Sequence, residues 1–160
     1  MRRSSSRHQA NSSPPHPQPA RYDRPVRASG TFTVASFVPT PVAPDADFKT
    51  AVDVGVATIL KHYEGEIQGR STALFTAAYD EKAGVGTYVA MDSFEGTVAG
   101  RSGSFNFAHA ATTRGDLREA EYFVIVPTSG TGELEGISGT GGLSIDADGT
   151  HHLWLDYELG

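Results

Sequence analysis

From residue 30 onward, apolar or β-branched positions alternate with polar ones at a period of two, and Gly, Asp and Pro break the alternation at short intervals. Such alternation marks half-buried strands, and the breaks mark turns. Residues 31–37 are rich in Thr, Val and Phe, which suit a pleated surface, until Pro39, Pro41 and Pro44 stop the run. Residues 45–51 read as one helical turn or a loop. Alternation resumes over 52–63, passes a hairpin connection at Glu64-Gly65-Glu66, and continues through a long strand over 67–79. Asp80 to Gly84 turns the chain into 85–94, and the connection 95–103, with its turn at Gly100–Gly103, leads into 104–113. Arg114-Gly115-Asp116 leads into 119–127, a glycine cluster over 130–142 follows, and short strands are expected at 140–145 and 151–158. No amphipathic helix of useful length separates these runs, which argues against βαβ units and a parallel sheet. The pattern predicts an all-β fold, an eight-stranded antiparallel β-barrel, with a β-sandwich as the alternative. Apolar residues on both faces of a strand, such as Leu74 with Phe75 and Tyr88 with Val89, predict an outer wall covered by loops or by another copy in a homo-oligomer.

Composition divides the 160 residues into a tail and one domain. Residues 1–27 hold six Arg and one Asp, a net +5, which leaves −11 of the overall −6 for the remainder. This Ser- and Pro-rich stretch has sparse apolar residues and no period, so it is expected to be a disordered basic tail, with the barrel domain over 28–160. No apolar block follows Arg2-Arg3, so a secretory signal is not indicated and a cytoplasmic location is expected. No run of 18 apolar residues exists to cross a membrane. The acidic domain lacks the clustered Lys and Arg that phosphate backbones require, so no nucleic-acid partner is expected. Cysteine is absent, which excludes disulfides, Cys zinc sites and thiol nucleophiles.

Candidate chemistry is narrow. The stretch from Ser129 to Gly136 is glycine-rich but lacks the Gly-Lys-Ser/Thr of a phosphate loop and the spacing of a dinucleotide fingerprint. Its glycines are expected instead at left-handed or bulged positions. No Gly-x-Ser-x-Gly elbow occurs, and Ser104 and His109 differ in strand parity, so they face opposite ways. His62, His109, His152, Asp92 and Glu95 form no ligating motif, so no metal or cofactor is expected. One pair does carry chemistry. Phe105, Phe107 and His109 share a strand face, as do Tyr88, Ala90, Asp92 and Phe94 on the strand before it. If the connecting hairpin centres near 98–101, Asp92 lies opposite residue 107 and diagonal to His109. A carboxylate and an imidazole among aromatics can act as an acid–base pair, because burial shifts both pKa values; the alternative is a structural hydrogen bond. Asp92, His109 and Tyr79 are therefore the candidate catalytic residues, and Tyr88, Phe94, Phe105 and Phe107 the candidate ligand wall.

Arg101-Ser102-Gly103-Ser104-Phe105, the following His109, and the run from Pro127 through Ser129-Gly130-Thr131-Gly132-Glu133-Leu134-Glu135-Gly136 to Ile137 resemble a bacterial domain family of unknown function, number 3224. Ala28-Ser29-Gly30-Thr31-Phe32 and Tyr63-Glu64-Gly65-Glu66-Ile67-Gln68-Gly69 carry the same likeness, which covers nearly all of 28–159. That family is similar to the allene oxide cyclase-like barrels, which implies eight strands around an apolar lumen. Its members tend to carry His at position 109 and an acid, usually Glu, at position 92, where this chain has the shorter Asp. Three functional expectations follow. The first is a small-molecule-binding barrel with an apolar lumen. The second is an isomerase or cyclase that acts on a hydrophobic intermediate through its lumen acid–base residues. The third is a structural or oligomer-forming protein without a ligand.

Overall fold

The computed structural model describes residues 24–160. Eight strands follow one another: β1 (Val26–Pro39), β2 (Val54–Gly65), β3 (Ile67–Asp80), β4 (Val85–Val98), β5 (Arg101–Arg114), β6 (Leu117–Ile125), β7 (Ile137–Ile145) and β8 (His151–Leu159). They form one antiparallel sheet in the order β6-β5-β4-β3-β2-β1-β8-β7. β6 and β7, at the two ends of that order, adjoin without exchanging a hydrogen-bonded ladder. The sheet is thus a nearly closed barrel with one seam, and two stacked sheets are ruled out.

Several strands outrun the sequence pattern, whereas β2 and β6 keep the expected length but are displaced by two residues from the expected 52–63 and 119–127. β4 reaches Val98 and β5 starts at Arg101, so the turn is only Ala99 and Gly100 rather than the whole span 95–103. Both turn residues have positive φ, 47° and 81°, the two-residue hairpin geometry that matches strand twist. Gly103, read as a turn residue, is instead a ladder residue opposite Gly96. A Cβ there would collide with the Thr131 carbonyl oxygen, so this glycine serves close backbone approach. β1 begins at Val26, ahead of the boundary expected at 28, and Arg27 makes a two-pronged pair with Asp156 at 2.7 Å for each prong. Residues 1–23 of the expected tail lie outside the described residues. Over 45–51 the chain is a loop, in which the Asp45 carboxylate accepts from the Asp47 amide at 3.0 Å.

The two ends of the barrel differ. At one end, Ala28, Ile67, Val98, Ile125, Ile137 and Leu155 pack with almost no solvent contact. The β6–β7 connection folds over this end through a 3₁₀ turn, Gly132–Leu134, whose Leu134 is fully buried. Burying a Leu side chain contributes about 1.5–3 kcal/mol, so this plug is a substantial part of the closure. Towards the other end, the inward positions are small: Ala57, Ala73, Ala90 and Ala111 are all buried. Small side chains there leave space that larger ones fill at the plugged end.

Within the glycine segment, Gly132 (φ 60°), Gly136 (φ 79°) and Gly139 (φ 141°) have positive φ, as expected. A Cβ on Gly132 would also lie 2.9 Å from the Ser102 carbonyl oxygen. Gly132→Ala should destabilise the fold by about 1–2 kcal/mol, from left-handed strain and this contact. A urea titration should show the midpoint falling at constant slope. An unchanged midpoint would mean that the connection adapts without strain.

Candidate functional site

The interior holds four buried polar or charged residues among the described ones: Lys61 on β2, Ser71 on β3, Asp92 on β4 and His109 on β5. All four occupy inward phases of adjacent strands, and the ladder brings them together. Asp92 pairs with Phe107 and Ala90 with His109, so Asp92 and His109 are diagonal neighbours in the register expected from the hairpin. Ala73 lies opposite Asp92, and Ala90 opposite His109. These two methyl side chains leave room for the four polar ones.

Asp92 is the hub. It is fully buried, and its oxygens accept from Lys61 Nζ at 2.9 and 3.0 Å, from Ser71 Oγ at 2.6 Å and from His109 Nε2 at 3.1 Å. Tyr63 Oη lies 2.9 Å from Ser71 Oγ, and since Ser71 donates to Asp92, Tyr63 donates to Ser71. On the other side, His109 Nδ1 lies 3.1 Å from Tyr88 Oη, which accepts from Arg118 Nη2 at 2.7 Å. The short Asp92 side chain reaches His109 directly.

Charge and protonation follow from these contacts. Burial pushes the Asp92 carboxyl upward, but the His109 hydrogen bond, the Lys61 charge and the Ser71 hydroxyl outweigh it and hold the pKa below the ordinary value. Burial lowers the His109 pKa, and the nearby Lys61 and Arg118 charges add to this against the opposing pull of Asp92. His109 is therefore neutral near pH 7. An ionised carboxylate only accepts, so the imidazole proton sits on Nε2, and Nδ1 is left to accept from Tyr88. The hydrogen bonds then run one way, from Arg118 through Tyr88 and His109 to Asp92. Burial also raises the Tyr88 pKa, with Arg118 opposing.

This chain reaches the barrel seam. A cavity of about 60 Å³ is lined by His109, Arg118, Glu121, Gly141, Gly142 and Leu143, which has room for a few waters at most. Arg118 Nε is buried without a hydrogen-bond partner among the described residues, and Glu121 Oε2 lies 3.5 Å away. Arg118 also borders a cleft of about 410 Å³ at the open end, between the β5–β6 turn (Gly115, Asp116) and the β7–β8 turn (Asp146, Ala147, Gly149).

The remaining expected site residues are scattered along the barrel axis. Phe94, Phe105 and Phe107 are buried against one another, with ring centroids 5.1 and 6.1 Å apart, and fill space below the cluster. Tyr88 lies above them, near the opening, stacked on Phe75 at 5.1 Å. Tyr79 is half-exposed at the open-end tip of β3 and makes no side-chain hydrogen bond to Asp92 or His109. Reading the residues alone missed Lys61, Ser71, Tyr63 and Arg118. Lys61 had a signal, a lone Lys in phase with the apolar Ile59 and Tyr63. As for metals, no group of three or more His, Asp or Glu converges among the described residues, and the Lys61 ammonium already lies beside the pair, 2.9 Å from Asp92 and 3.4 Å from His109 Nε2.

Removing one partner of a buried ion pair strands the other charge. Lys61→Met should therefore cost about 3–5 kcal/mol in a urea titration. Adding Asp92→Asn should restore part of that loss; a double variant as unstable as the sum of the singles would show that the two do not act as a pair. Acid should also weaken the fold in two stages. Both folded-state pKa values lie below the ordinary 6.5 of His and 3.8 of Asp. Each group's contribution is thus complete above its ordinary value and lost as pH falls toward the folded one. Unfolding free energy should decline below about pH 6.5 through His109 and again below about pH 4 through Asp92. His109→Gln should abolish the first decline; its persistence would assign that titration to another group.

Residues 28–157 match the family described as protein of unknown function DUF3224. A crystal structure of a protein of unknown function from that family, from Shewanella oneidensis MR-1, superposes with a TM-score of 0.73 at 28% identity. The match covers 85% of this chain and 98% of that one. No curated protein matches the chain. A profile that spans most of the barrel, together with a family structure of the same fold, places this chain in the DUF3224 family of proteins of unknown function.

Proposed function

We propose that the protein binds a small, largely apolar molecule at the open end of the barrel, with the polar group of that molecule facing Tyr88 and Arg118. The observation that carries this reading is the 410 Å³ cleft bordered by Arg118, which falls in the size range of small-molecule sites. A second hollow of about 230 Å³ at the same end is lined by Phe37, Pro39, Ala57, Phe75 and Ala77 and is largely apolar. Phe37 meets Phe75 edge-on at 5.8 Å, and Phe75 stacks on Tyr88, so an aromatic wall leads from this hollow to the polar floor. In this reading Tyr88 touches the ligand, and Phe94, Phe105 and Phe107 support the floor from below. The cytoplasmic location and the homo-oligomeric state belong to the same proposal; the first rests on sequence alone, the second on apolar residues of the outer wall.

A second reading, an isomerase or cyclase acting on a hydrophobic intermediate, is favoured by the one-way chain of hydrogen bonds. Tyr88 would exchange a proton with the ligand while neutral His109 takes up or returns the phenol proton, and Asp92 would stabilise the imidazolium that forms. Tyr79 is a further phenol at the opening. The expected likeness of the 3224 family to allene oxide cyclase-like barrels suits this class of reaction without naming a substrate.

Ligand-observed NMR with a panel of small aromatic and alicyclic ketones, phenols and carboxylic acids tests both readings. At least one class should bind, and Tyr88→Phe or Arg118→Met should weaken binding on the order of tenfold or more. If the bound compound is also transformed, His109→Gln should abolish turnover while binding persists. No binding across the panel by folded protein would contradict both readings and leave a structural role.

A further inference from the structure

The outer wall of β2–β6 carries a band without charge. The ladder registers align one row straight across five strands, from Thr58 through Leu74, Met91 and Ala108 to Val124. The next row toward the open end is also uncharged at all five positions and includes Val89 and Tyr122. Leu74 is 63% exposed, Val89 58%, Tyr122 58% and Met91 46%. The connection 40–53 leaves them uncovered and is itself exposed, with Phe48 at 79%. Scattered apolar surface residues are ordinary, but a contiguous patch marks an interaction face.

We infer that this band is the face on which a second copy of the chain docks, as an isologous dimer. Charge selects that occupant. The chain from residue 28 onward carries −11, so most approaches of two copies set carboxylates against carboxylates. A two-fold contact places each patch against itself, and an uncharged patch meets its own image without repulsion. The basic N-terminal segment, with six Arg in 27 residues and few apolar side chains, is a poor match for an apolar wall. The two rows, about four residues at ~3.4 Å across five strands at ~4.8 Å, give a flat apolar centre of roughly 330 Å² before side-chain relief, within the about 800 Å² that a standard interface takes per partner. Relief is present. Beside the band lies a depression of about 460 Å³ lined by Leu60, Arg70, Thr72, Ser93, Glu95 and Ser104, large enough to receive a partner's Leu or Met side chain. The Arg70–Glu95 pair, at 2.6 Å, stands at its rim, where charged residues sit in protein interfaces.

This inference rests on the self-association proposed above and not on the ligand. Light scattering and sedimentation of the full chain should give twice the 17.0 kDa chain mass at high concentration, with dissociation on dilution. Leu74→Glu and, separately, Val89→Glu should raise the dissociation constant by tenfold or more. Leu117→Glu, at a 62% exposed position outside the band, should leave it unchanged. Should a Glu variant lose its fold, Leu74→Thr, which matches the flanking Thr72 and Thr76, makes the same test. A chain that stays monomeric at every concentration, or a dimer indifferent to these changes, overturns the assignment. So does a monomer that sediments with phosphatidylcholine vesicles through Leu74, which would make the band a lipid face. The ligand panel repeated on monomeric Leu74→Glu separates failure of the interface from failure of the binding reading.

Discussion

The ion pair between Lys61 and Asp92, sealed inside the barrel, is the constraint around which the interior is arranged. Taking two charges out of water costs several kcal/mol for each ion, and only close contact with full hydrogen bonding offsets it. The chain meets that requirement with three donors on one carboxylate and with Ala73 and Ala90 placed opposite Asp92 and His109 to make room. Well-packed apolar side chains of equal volume often stabilise a core as well or better. Stability alone therefore gives no reason for the cluster. The proposed function takes its reason from the link through Tyr88 and Arg118 to the open end.

The asymmetry of the barrel follows from the same constraint. The plugged end, closed by Leu134 and the 3₁₀ turn, excludes water from the side of the cluster that faces the aromatic core. Phe107 and Phe123 stack at 5.0 Å, and both lie against His109 at about 6 Å, which holds the imidazole plane while its two nitrogens face Asp92 and Tyr88. A dry floor strengthens each electrostatic contact within it. Toward the opening Ala57, Ala90 and Ala111 leave space that large side chains fill at the plugged end, and at the seam between β6 and β7 Arg118 and Glu121 line one small cavity with His109. The outer wall obeys a separate logic, set by exposed apolar rows in an otherwise acidic domain.

The strands were legible because a period of two survives in each, and the β4–β5 register was legible because one tight hairpin sets it. Asp92, His109 and the aromatic face emerged from parity alone. Parity tells which face a side chain occupies but not whether space remains beside it, and Phe94, Phe105 and Phe107, expected as a ligand wall, are buried against one another. Ser71 was invisible because nothing local separates an inward Ser from the outward Ser and Thr around it. Arg118 was hidden by a β-bulge between Ala110 and Thr112, where Ala120 takes φ 49° and shifts the phase of β6. Gly103 read as a turn because sequence does not distinguish a glycine that turns from one that lets another backbone approach.

The state of His109 tests the account most directly, since both the buried ion pair and the path to the opening depend on it. Long-range ¹H–¹⁵N NMR of ring-labelled histidine, followed through a pH titration, reports tautomer and charge for each imidazole. The account predicts that His109 is neutral at pH 7, protonated on Nε2, and titrates below the ordinary 6.5. An imidazolium at pH 7, or a neutral ring with its proton on Nδ1, would contradict it, because Asp92 would then be charge-balanced differently and Tyr88 would lose its acceptor.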